Sequence, residues 1–162
     1  MQMPLGMNFM EEHGNELREF LRKGVISEFE VRPDESSDGM LIQRLEDGPW
    51  SYENRWYAGE PATGITTVRF NGKACWSMVY FSRMLTYAER NEVYNCLREA
   101  LKDSNDDGFL RGPSEFHTLN GYTYANIQHG SLTRFDGLET VKNVDGDMVF
   151  KIHYRGGAIC VY

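Results

Sequence analysis

The chain has 162 residues, of which 41% are hydrophobic and 25% charged, and its formal net charge is −7. This composition fits a globular protein of one domain, 1–162, and excludes a disordered tail, a collagen-like fibre and a simple coiled coil. No apolar run approaches the roughly 20 residues that span a bilayer, Met1 to Phe9 lacks a secretory signal, and Cys75, Cys96 and Cys160 are too few and too scattered for a disulfide framework. A cytoplasmic protein with no membrane contact is the expectation.

Residues 1–39 hold nine acidic and four basic side chains, so most of the negative charge belongs to the N-terminal helix and the loop after it. That sign disfavours contact with nucleic-acid phosphate, and no direct nucleic-acid binding is expected. The acidic face either keeps the chain in solution or receives a basic protein partner.

In chain order, Asn8 and Glu11 have capping-box spacing, and Met10, Leu17, Phe20 and Leu21 share one helical face. A helix is predicted from Phe9 to Lys23, with Gly24 as its stop. Pro33 to Gly39 reads as a surface loop. Strands follow at Met40–Glu46, Trp50–Ala58, Ile65–Phe70 and Lys73–Phe81, the last two joined by Asn71-Gly72, a strong hairpin signal. Trp50, Tyr52, Asn54 and Trp56 alternate onto one face of the second strand.

Helical periodicity then returns. Thr86 and Glu89 form a second capping-box signature ahead of the stripe Val93, Leu97, Ala100 and Leu101. Asp103 to Gly108 is a polar exit loop. The strands Phe116–Leu119 and Tyr122–Gln128 flank Asn120-Gly121, and Leu138–Val144 and Met148–Tyr154 flank Asp145-Gly146. Gly156-Gly157 introduces a final strand, Ala158–Tyr162.

The two halves match in order. Leu17-Arg18-Glu19 answers Leu97-Arg98-Glu99; Tyr52 and Asn54 answer Tyr124 and Asn126; Gly64 and Val68 answer Gly137 and Val141; Tyr80 answers Tyr154. The expected fold class is therefore α+β. Two duplicated helix-plus-antiparallel-sheet units, about 8–82 and 86–162, would pack about a pseudo-twofold axis with a ligand groove at their junction.

Gly48, Trp50 and Tyr52, then Tyr57 and Gly59, the hairpin Gly72, Lys73, Trp76, Met78 and Tyr80, the turn Arg111-Gly112-Pro113, and Tyr154, Gly156 and Gly157 form an ordered set. Over roughly residues 14–160 this set resembles an uncharacterised bacterial family, domain of unknown function 5680. The resemblance implies an aromatic-x-Gly-x-Glu stretch in each half. The second half has it as Phe135, Gly137 and Glu139, whereas the first has Ala62, Gly64 and Thr66. Relatives that carry a helix-turn-helix segment ahead of this module imply a sensor or partner-binding role. The resemblance implies no reaction.

Chemistry-bearing patterns are sparse. His117, His129 and His153 lack metal-ligand spacing, and no phosphate-binding glycine motif or nucleophile elbow is present. The cysteines read as small hydrophobes. No catalytic residue, metal or cofactor is assigned. Glu139 reads either as an exposed strand-end acid or as a partly buried carboxylate paired with Arg134 or Arg155.

Aromatics, 13% of the chain, are the main functional signal. They read either as ordinary core or as walls of a groove, because Tyr and Trp combine a stacking face with a polar handle. The candidate ligand-binding set is Tyr52, Arg55, Trp56, Tyr57, Arg111, Tyr124, Glu139 and Arg155. The first functional expectation is a noncatalytic module that holds a small nucleotide-like or sugar-like ligand. The alternatives are a protein-interaction or inhibitor protein acting through Glu11, Glu12, Glu16 and Glu19, and a hydrolase using Glu139 or a histidine.

Overall fold

The computed structural model describes residues 5–103 and 110–159. Helix α1 covers Leu5–Glu30, and α2 covers Arg90–Lys102 after a 3-10 turn at Tyr87–Glu89. The strands are β1 Asp34–Glu35, β2 Met40–Asp47, β3 Trp50–Tyr57, β4 Ala62–Phe70, β5 Lys73–Met84, β6 Glu115–His117, β7 Thr123–Ser131, β8 Arg134–Lys142 and β9 Met148–Ala158. Cys160, the end of the predicted last strand and most of the predicted exit loop lie outside the described residues.

All nine strands form one antiparallel sheet in the order β1-β2-β3-β4-β5-β9-β8-β7-β6. This corrects the expectation of two duplicated helix-plus-sheet units packed together. The decisive ladder is β5 on β9, in register from Trp76↔Ala158 to Met84↔Phe150. These are also the two longest strands, so each satisfies a neighbour on both edges. The halves are thus joined by backbone hydrogen bonds within one sheet.

Alternation along the strands gives the sheet two unlike faces. Both helices lie on one of them. Leu17, Phe20 and Leu21 of α1 pack on Trp50, Val68 and Trp76, while Val93, Cys96 and Leu97 of α2 pack on Tyr124, Val141 and Phe150. Each such side chain, once buried, contributes on the order of 1.5–3 kcal/mol. Tyr80 touches both clusters and sits where they meet. The other face is open, and Ile65, Val79, Phe81 and Ile127 are exposed on it.

Asn71 and Gly72 hold positive φ angles of 48° and 77°, as the predicted two-residue turn requires. Helix α1 begins at Leu5, so Asn8 lies inside it and is not its N-cap, and β9 runs through Gly156-Gly157 to Ala158 rather than ending before them. Two further predictions fail for identifiable reasons. Gly24 does not end α1: a Cβ there would overlap the Tyr52 ring, so the glycine marks a close approach of helix to sheet. The helix continues to Glu30. Thr86 makes no side-chain capping bond, and Glu89 Oε1 instead accepts from Asn143 Nδ2 at 3.2 Å.

Candidate functional site

Two polar networks are buried on the helix-covered face. In the first, β3 turns Tyr52 and Asn54 toward the last turns of α1. The Tyr52 hydroxyl donates to Glu28 Oε1, and Asn54 Nδ2 donates to the same oxygen at 2.8 Å. Asn54 Oδ1 accepts from the Tyr80 hydroxyl at 3.0 Å and from Thr66 Oγ1 at 3.3 Å. Tyr80 reaches across because its cross-strand neighbour is Gly64, where any Cβ would overlap the phenol.

The second network uses the same kinds of residue with a different acid. The Tyr124 hydroxyl on β7 donates to Glu139 Oε1 on β8 at 2.6 Å. Asn126 Oδ1 accepts from the Tyr154 hydroxyl at 2.7 Å, and Asn126 Nδ2 donates to the Gly112 carbonyl at 3.2 Å. Gly137 makes room for the Tyr154 phenol, and Gly112 for that of Tyr124. Arg111 Nε lies 2.9 Å from both oxygens of Glu139, and its guanidinium sits 5.9 Å from the Tyr154 ring centroid.

Electrostatics separate the two acids. Glu139 has no exposed surface, and its partner Arg111 keeps 11% of its side chain exposed. Burial alone would lower the Arg111 pKa, but Glu139, and then Glu28, more than offset this and raise it. Burial pushes the Glu28 carboxyl above the usual range, opposed only in part by Tyr52, Arg111 and Asn54. Tyr52 and Tyr124 are raised well above an ordinary phenol, by burial first and then by their neighbouring carboxylates.

A cleft of about 240 Å³ opens above this floor, between the end of α1, the α2 helix and the sheet. Glu28, Asn54 and Arg111 give it polar groups, and Phe29, Trp56, Tyr80, Tyr94 and Phe150 give it aromatic ones. The predicted ligand-binding set is therefore divided. Trp56 and Arg111 line the cleft, whereas Tyr52, Tyr124 and Glu139 lie buried within the networks.

Arg55, Tyr57 and Arg155 fall on the open face, because each is an odd number of positions from an inward-facing neighbour. Arg55 Nε donates to Glu53 at 2.9 Å, the Tyr57 hydroxyl donates to Asp38 at 2.6 Å, and Arg155 stands opposite Asp136 in the β8–β9 register. Two open hollows occur on this side. One of about 420 Å³ includes Arg55, Tyr57 and Ile65, and one of about 360 Å³ includes Val79, His153 and Arg155.

Glu139 pairs with neither Arg134 nor Arg155, and it is not exposed. The signal for its true partner is the Arg111-Gly112-Pro113 turn, which brings a guanidinium and a Cβ-free residue against Tyr124. Sequence reasoning misses Glu28 because the predicted stop of α1 at Gly24 leaves it outside the helix. His117, His129 and His153 are exposed, and among the described residues no group of three or more His, Cys, Asp or Glu is placed to hold a metal ion. Cys75 and Cys96 are buried and unpaired, and burial pushes each thiol up to about 11.

The sheet, the Arg-Gly-Pro turn and the glycine-backed tyrosines all lie in one continuous stretch. The family described as domain of unknown function 5680 matches residues 45–159. The chain belongs to this family. No curated protein and no solved structure matches it. The matched stretch contains Arg111, Glu139 and every tyrosine and asparagine of both networks, whereas α1 and Glu28 precede it. Thr66, which stands where the family resemblance implied a first-half acid, bonds Asn54, and Glu28 supplies a carboxylate to that asparagine from the helix.

Proposed function

We propose that this member of the family is a noncatalytic binding module that holds one small ligand in the cleft between α1, α2 and the sheet. The observation that carries the reading is a floor of Glu28, Asn54 and Arg111 enclosed by five aromatic side chains. Drug-sized ligands occupy sites of roughly 300–1,000 Å³. A cleft of about 240 Å³ therefore suits a single ring of a nucleotide-like or sugar-like compound. The floor is set before any ligand arrives, because Asn54 is already held by Glu28, Thr66 and Tyr80.

Catalysis draws less support. Glu139 is sealed beneath Arg111, and the three histidines of the second half point to the open face. Among the described residues no helix is long and apolar enough to cross a membrane. A cytoplasmic setting is part of the proposal, supported by two buried free thiols.

A thermal-shift screen of nucleobases, nucleosides, monosaccharides and small amines tests the reading. One class is expected to raise Tm with dose, by the equivalent of about 2.7 kcal/mol at a hundredfold excess over Kd. Trp56→Ala should remove the shift while the protein still melts cooperatively. A sharp melt that no compound moves defeats the proposal. A protein partner on α1 is the second reading, favoured by the exposure of Glu11, Glu12, Glu16 and Glu19.

A further inference from the structure

The geometry points to an organic cation, a protonated amine or amidine carried on one ring, as the occupant of the cleft, with Glu28 as its counter-ion. This rests on the binding reading above and adds the charge of the ligand. Glu28 and Arg111 line the cleft, and Glu139 lies fully buried against Arg111. Arg111 commits its Nε to Glu139, at 2.9 Å from each oxygen. Among the described residues, no Lys, Arg or His nitrogen lies within ion-pair distance of Glu28. One guanidinium thus stands against two carboxylates and bonds only one of them, and with all three ionised the set is left with one unneutralised negative charge.

Glu28 Oε1 accepts from Tyr52 and Asn54, whereas Oε2 accepts from no described residue. Glu28 itself lines the cleft, together with Trp56, Tyr80 and Tyr94. Aromatic faces attract ammonium and guanidinium groups through the ring quadrupole, most strongly where water is excluded. A cation would gain from both the carboxylate and the walls. A neutral ring would gain from the walls alone. An anion would meet the Glu28 carboxylate, beside a guanidinium whose Nε is committed to Glu139.

Three compounds that share a ring and differ in charge decide the matter: benzylammonium chloride, benzyl alcohol and sodium benzoate. Each is titrated into the full chain at neutral pH, followed by Tm and by tryptophan fluorescence. Benzylammonium is expected to bind about tenfold tighter than benzyl alcohol, with benzoate weakest. Glu28→Gln should bring benzylammonium level with benzyl alcohol. Glu30→Gln, at the exposed end of α1, should leave all three unchanged. Equal binding of the three, or a preference for benzoate, overturns the cation assignment and leaves the cleft reading standing. If none binds a protein that melts sharply, both fall. Should Glu28→Gln fail to fold, the ranking of the three compounds on the unaltered chain still upholds or overturns the assignment.

Discussion

The two buried networks place the same three groups on the same face of one sheet and finish them differently. Each has a tyrosine donating to a carboxylate, and an asparagine that accepts from a second tyrosine lying over a glycine. In the second network the acid comes from the neighbouring strand, is fully buried, and is held by Arg111. In the first it comes from a helix, lies at the cleft and has no ion-pair partner among the described residues. On the proposed reading, the first network supplies the carboxylate that meets a ligand, and the second supports the sheet beside it.

The sharpest way to break this contrast is to neutralise each acid in turn. Glu139→Gln leaves Arg111 buried without the counter-charge it bonds, and breaking a buried pair costs about 3–5 kcal/mol. Urea denaturation should show a loss of that order. A loss well under about 1 kcal/mol would mean that the pair is solvated after all.

The two tyrosines that bond asparagine should differ by less. Tyr154→Phe removes the side-chain donor to Asn126 Oδ1 and should cost about 1–1.5 kcal/mol. Tyr80→Phe leaves Thr66 Oγ1 on Asn54 Oδ1, so about 0.5 kcal/mol is expected. Equal losses in the same denaturation experiment would show that Thr66 gives no compensation.

Glu28→Gln should act with the opposite sign. Glutamine keeps an oxygen for Tyr52 and Asn54, and it removes a charge that burial opposes. A gain of about 0.5–1 kcal/mol at neutral pH is expected. Because the folded carboxyl holds its proton to higher pH than the unfolded chain's, near 4.5, the folded state binds more protons across that window. Glu28's contribution is thus fully present below the unfolded value and is lost as pH rises through the folded one. The advantage of the variant over the parent chain should grow as pH is raised above about 4.5, through the raised value of the folded carboxyl. A pH-independent difference would show that Glu28 titrates as it does in the unfolded chain.

Much of the secondary structure is legible in the sequence because it depends on near neighbours. The Asn71-Gly72 turn and the alternation of Trp50, Tyr52, Asn54 and Trp56 are local facts. The joining of β5 to β9 is not legible, because no local pattern says which edges of two meanders will pair. Gly24 misleads for a related reason: a glycine near the end of an apolar stripe reads equally as a cap or as a contact, and only the Tyr52 ring decides. That ambiguity hides Glu28. Arg111, Trp56 and Glu139 are identifiable by residue type, but Arg55, Tyr57 and Arg155 lie on the opposite face of the sheet and do not join them.

The sheet also has to end somewhere. Its outermost strands are the shortest: β1 has two residues, both acidic and exposed, and β6 has three, with Glu115 and His117 exposed. Long, flat, apolar edges recruit strands from other molecules, and short charged ones discourage it. A chain that exposes Ile65, Val79 and Phe81 on an open sheet face would otherwise be prone to fibrous self-association. The small terminal strands are thus a safeguard against aggregation, and they allow the central strands to remain long.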